Sequence, residues 1–161
     1  MFRHASRGLG LLICMACICG SLPAQTEKTI SIHIYDGKTG RPLASSGYQV
    51  RVDHQPEIHS NWVTENEDGS GTLVVPKGAT LLSIRATYED SMYLYINCDS
   101  TVGGPKAADQ WYSISEILTT GIVAPNNCGK PKDAAKIKIA AKPGEFVFLV
   151  RKLSTKEQWR E

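Results

Sequence analysis

The sequence has few of the marks by which enzymes are recognised. It holds no Gly-x-Ser-x-Gly elbow, no P-loop and no His-Glu-x-x-His pair, so the signatures of serine hydrolases, nucleotide enzymes and zinc proteases are missing. Histidine is scarce: after the first two dozen residues only His33, His54 and His59 remain. No apolar run reaches the ~20 residues that span a hydrocarbon core. The longest, Leu9 to Cys19, has eleven. Charge of one sign is also lacking, at a formal net charge of +2 over the whole chain. That balance argues against wholesale nucleic-acid binding.

What is present begins with a leader. Arg3 and Arg7 precede the apolar run, and Ser21-Leu22-Pro23-Ala24 follows with small residues and a break. This is the layout of a secretory signal peptide, with cleavage expected after Ala24. Residues 1–24 are therefore expected to be removed, leaving 25–161 as one exported domain, periplasmic or extracellular. No transmembrane span is expected in the mature chain, and no cofactor.

Export changes the meaning of the cysteines. Of five, only Cys98 and Cys128 lie outside the leader. A pair of cysteines in an oxidising compartment predicts one disulfide, on compartment rather than geometry. Two buried free thiols are the alternative.

The charges are unevenly spread. Residues 25–129 hold 7 basic and 12 acidic side chains, while residues 130–161 hold 9 basic and 4 acidic. Lysines on outward strand faces explain this, because Lys blunts exposed sheet edges. A local site for an acidic polymer or an anionic envelope surface is the sharper reading.

The hydrophobic pattern has mostly period two. Ile30, Ile32 and Ile34 alternate with Ser31, His33 and Tyr35, which predicts a half-buried strand. Tyr48, Val50 and Val52 repeat the pattern, as do Leu82, Ile84, Ala86 and Tyr88. Met92, Leu94, Ile96 and Cys98 would form the strand returning from a turn at Glu89-Asp90-Ser91. Ile137 and Ile139 predict a lysine-studded strand, and Glu145 to Leu153 the most apolar strand outside the leader. Ser113-Ile114-Ser115-Glu116 has the form of a capping box opening a short helix that Gly121 ends. Ser154 to Glu157 predicts a second. Residues 99–112 are the longest loop.

These elements predict an all-β fold: a seven- to eight-stranded antiparallel β-sandwich, transthyretin-like or immunoglobulin-like, with one or two short helices.

Tyr35-Asp36-Gly37-Lys38-Thr39-Gly40-Arg41-Pro42-Leu43, then Gly47-Tyr48-Gln49-Val50, resembles the carboxypeptidase regulatory-like domain family. Thr64, Asp68-Gly69 and Leu73-Val74-Val75 match its later turn and strand. The resemblance covers residues 28–87 and implies a transthyretin-like, prealbumin-type sandwich with a non-catalytic habit. It supplies no catalytic residues. The second half departs from the minimal domain and resembles small exported bacterial proteins of unassigned function.

Two sets of residues are candidates for chemistry. His54, Glu57 and His59 combine imidazole and carboxylate, which suits zinc or a similar ion. A solvated polar loop explains the same residues. Tyr93 and Tyr95 fall one residue off the Met92, Leu94 and Ile96 face, which predicts a small outward aromatic platform. Trp111 joins them as an aromatic that stacks on sugars or anchors a protein. The expected role is an exported non-enzymatic module that binds a protein or glycan of the cell envelope. The alternative is a small secreted metal-dependent hydrolase working through the His54–His59 loop.

Overall fold

The computed structural model describes residues 27–90, 93–97, 110–124, 126 and 135–158, with the backbone alone at 88–90, 93–96, 157 and 158. The expected leader, Cys98 and Cys128 with their expected disulfide, Met92, and residues 99–109 of the expected long loop lie outside the described residues. No described helix is long and apolar enough to cross a membrane.

The fold is an all-β sandwich of two sheets. Its strands are β1 (Thr29–Asp36), β2 (Pro42–Leu43), β3 (Ser45–Val52), β4 (Val63–Glu65), β5 (Gly71–Val74), β6 (Leu81–Asp90), β7 (Tyr93–Ile96), β8 (Tyr112–Ser113), β9 (Ile122–Ala124) and β10 (Glu145–Lys152). Two short helices accompany them, α1 (Ile114–Thr119) and α2 (Thr155–Gln158). Ten strands stand among the described residues where seven or eight were expected. The additional ones are short: β2 and β8 have two residues and β9 has three. Segments that brief carry no readable period.

One sheet runs β4–β5–β1–β10–β9, with β2 also on β1. The other is built on β3–β6–β7, with β8 also on β6. β10 belongs to both. Glu145 to Val150 pair with Ser31 to Asp36, and then Arg151 and Lys152 pair with Ile96 and Tyr95. The expected antiparallel order holds for most ladders, but β1–β10 and β9–β10 are parallel. A parallel neighbour needs a long connection. The chain supplies one, since residues 125–144 separate β9 from β10.

The core lies between the inward faces. Ile30, Ile32 and Ile34 of β1 and Phe146, Phe148 and Val150 of β10 meet Tyr48, Val50, Leu82, Ile84 and Ala86 of the other sheet. Phe146 packs edge-on to Phe148 and to Tyr112, at centroid distances of 4.9 and 4.8 Å. All of Phe146 to Val150 is buried on both faces of β10, which accounts for its unbroken apolar run.

The first helix forms as its sequence predicts. Ser113 is the N-cap and its hydroxyl accepts the Glu116 N–H at 3.3 Å. Gly121, at φ +77°, follows the last turn. A side chain there would meet the Lys142 carbonyl as well as strain the backbone.

The strand expected at Ile137 and Ile139 does not form. The N–H groups of Lys136 and Ile137 both donate to the Gly37 carbonyl, at 2.8 and 3.2 Å. Bonds given to one turn cannot build a ladder, so the segment crosses the fold as a strap.

Candidate functional site

The best-organised surface feature starts where β3 ends. Asp53 and His54 have φ of +46° and +59°, and they are the two described non-glycine residues with positive φ. Left-handed backbone is unfavourable for such residues. The Gln55 N–H closes the turn on the Val52 carbonyl at 2.8 Å. Two successive left-handed residues inside such a closure give the geometry of a type I′ turn, which usually takes Asn-Gly.

A side-chain latch holds this turn. Asp53 Oδ1 accepts the Thr80 hydroxyl at 2.7 Å, the Leu81 N–H at 2.8 Å and the Thr80 N–H at 3.0 Å. The Asp53 N–H donates in turn to the Leu81 carbonyl at 3.2 Å. The Thr80 hydroxyl first, then the two backbone N–H groups, hold the Asp53 carboxyl below its ordinary value, because donors favour the charged form. The end of β3 is thereby fastened to the start of β6.

The latch sets the next side chain. The His54 ring lies against Trp111, with centroids 4.3 Å apart and planes 47° apart. Trp111 arrives from the other direction: β8 pairs Tyr112 with Leu82 and Ser113 with Leu81, and the Ile114 N–H donates to the Thr80 carbonyl at 2.9 Å. Asp53, Thr80, His54 and Trp111 thus form one ledge at the β3–β6–β8 end. His54 is exposed and Trp111 half-buried.

A second imidazole–indole pair sits across β3. His59 bridges back to Val50 on the edge away from β6. Its ring stacks on Trp62 at 3.5 Å and 6°. Glu57 Oε2 lies 4.0 Å from His59 Nε2. Trp62 also packs on the core, so the stack covers the hairpin rather than offering an open face.

This geometry parts His54 from the other two residues expected to act with it and keeps Glu57 beside His59. His54 and His59 are committed to different tryptophans on opposite flanks of β3. Among the described residues no three His, Cys, Asp or Glu side chains gather as metal ligands; His54, Glu57 and His59 therefore do not form the expected ligand set. The backbone register puts Tyr95 opposite Tyr88 and Tyr93 opposite Asp90. By register both positions share the strand phase of Leu82, Ile84 and Ala86 of β6, and the side chains of the expected platform lie outside those described. Trp111 is the expected binding residue that the structure places in an organised surface.

The latch partner Thr80 was not legible in the sequence. It lies 27 residues from Asp53, and no local motif links the two. The chemistry of the ledge is that of a recognition surface: an indole face, an imidazole with ring nitrogens for hydrogen bonding, and a carboxylate whose Oδ2 stands outside the latch.

Compared with known proteins, the chain matches no family model and no curated protein sequence.

Proposed function

We propose that this protein is an exported, non-enzymatic binding module of the cell envelope that engages a glycan through the His54–Trp111 ledge. The observation that carries this reading is the pair of left-handed residues, Asp53 and His54, held by three hydrogen bonds to one carboxylate oxygen. Strained non-glycine backbone concentrates at ligand-contacting positions when its surroundings enforce it. A ledge fixed in advance spares the ordering cost of binding. Saccharides match it because an indole face packs on sugar C–H groups while flanking polar atoms meet the hydroxyls. The resemblance of residues 28–87 to the carboxypeptidase regulatory-like family implies a non-catalytic habit and names no ligand. The hydrolase alternative would require His54, Glu57 and His59 around one ion, whereas the two imidazoles lie against different tryptophans.

A thermal-shift screen of the purified protein against envelope polysaccharides tests the proposal. Ligand at 100-fold excess over Kd stabilises the folded state by about 2.7 kcal/mol. A shift that disappears in Trp111→Ala is expected. A shift that Trp111→Ala leaves intact places binding elsewhere.

A further inference from the structure

A second surface has a different chemistry. A cleft of about 430 Å³ opens between the turn after β1, the strap at 135–137 and the end of β10. Lys38, Lys136, Arg151 and Lys152 line it, with Asp36 as the one carboxylate among the lining residues. We propose that this cleft binds an anionic group, a carboxylate or a phosphate.

The four cations come from three separate stretches of chain, and one glycine ties those stretches together. The Gly37 N–H donates to the Val150 carbonyl at 2.7 Å, and the Gly37 carbonyl accepts Lys136 and Ile137. A Cβ at Gly37 would stand 3.1 Å from the Ala135 Cβ and 3.3 Å from the Val150 oxygen. Glycine is therefore what lets the turn, the strap and β10 meet closely enough to share a cleft. The backbone beneath the cations is fixed, although the lysine side chains are long.

The one acid also has a structural task. Asp36 is 9% exposed, and its Oδ1 accepts the Lys38 N–H at 2.8 Å and the Thr39 N–H at 3.1 Å. It shapes the turn that presents Lys38. A lining of four cations to one carboxylate favours an anion over a cation in the cleft. Arg151 carries a planar fork of the kind that fits carboxylate and phosphate oxygens, and its Nη1 also donates to the Lys152 carbonyl at 3.4 Å.

Arg151 and Lys152 pair with Ile96 and Tyr95 of β7 along one edge, just past Val150, where the β1 ladder stops. The basic excess of residues 130–161 includes three cations that the fold brings to Lys38, 98 to 114 positions earlier. The cleft shares no lining residue with the His54–Trp111 ledge, and the proposal stands independently of it.

The test is an NMR titration of the purified protein with inorganic phosphate and, separately, with sodium glucuronate. The expected result is a saturable shift confined to the amides of Gly37, Lys38, Thr39 and Lys136, weakened by added salt. Lys38→Glu/Lys136→Glu should lower the affinity by at least about tenfold, since it removes two charge-assisted donors and reverses their sign. Lys28→Glu/Lys77→Glu, with the same change in net charge, should leave it intact. Unperturbed β1 and β10 amides in each variant show that the fold is retained. Saturation by phosphate alone identifies a phosphoryl ligand, and saturation by glucuronate alone a sugar acid. No saturation by either, shifts scattered over lysines generally, or equal loss in both double variants would overturn the proposal.

Discussion

The side-chain amide of Asn97, with no solvent exposure, donates to the carbonyl of Leu149 at 3.2 Å. The bond falls where β10 changes partners, between Val150 on Asp36 and Arg151 on Ile96. A strand leaving one sheet for another cannot satisfy every carbonyl in a ladder, and a buried one left unpaired is costly. Asn97→Ala should therefore destabilise the protein by about 1–3 kcal/mol. Urea denaturation measures this directly. A loss well below that range would show that Asn97 does not secure the joint.

The Asp53 latch has a pH signature. Its hydrogen bonds hold the carboxyl below the ordinary value of 3.8. A depressed pKa contributes stability above the unfolded value and loses it as pH falls through the folded one. The melting temperature of wild type should exceed that of Asp53→Asn at neutral pH, and the gap should close below about pH 4. Asp68, held down first by the Ser70 hydroxyl and then by the Ser70 N–H, titrates in the same direction in both proteins. It therefore drops out of the difference.

Tyr48 works at the other end of the scale. Burial first, then the Glu65 carboxylate, push its hydroxyl up to about 12, with the Ser45 hydroxyl pulling modestly the other way. A raised pKa gives stability that is complete below the unfolded value of 10.0 and fades as pH rises through the folded one. Wild type should lose melting temperature relative to Tyr48→Phe above pH 10, and match its pH dependence below. Thermal melts across that range read it.

At Gly71 a side chain from each sheet closes over the backbone. A Cβ there would stand 2.7 Å from Val63 Cγ1 and 3.0 Å from Tyr48 Oη. Gly71→Ala should cost ~1–3 kcal/mol by overpacking. Gly47→Ala, with nothing within 4 Å of the added carbon, should be neutral or slightly stabilising. Paired denaturation curves separate crowding from a general effect of replacing glycine.

Much of the architecture was legible because burial on one face writes a period of two. Ile30, Ile32 and Ile34 are buried as their alternation predicts, and Ser113 caps α1. Partners were harder to read than elements. Nothing in Glu145 to Lys152 says that its neighbour is β1 in parallel, because pairing direction leaves no mark in composition. Ile137 and Ile139 alternate like a strand, but Gly37 takes the donors that a ladder would need. The aromatic candidates divide for the same reason. Trp111 reached an organised surface because β8 pairs with β6, while His54 and His59 parted because the chain folds back across β3 between them. The latch and the cationic cleft depend on residues brought together from distant positions, which local sequence does not record.

The most direct test of the proposed role is a tryptophan-fluorescence titration of wild type, Trp111→Phe and Trp62→Phe with an envelope glycan that shifts the melting temperature. The account predicts that the saturable change survives in Trp62→Phe and vanishes in Trp111→Phe. A response that persists without Trp111, or that follows Trp62, would contradict the assignment of the ledge as the binding surface.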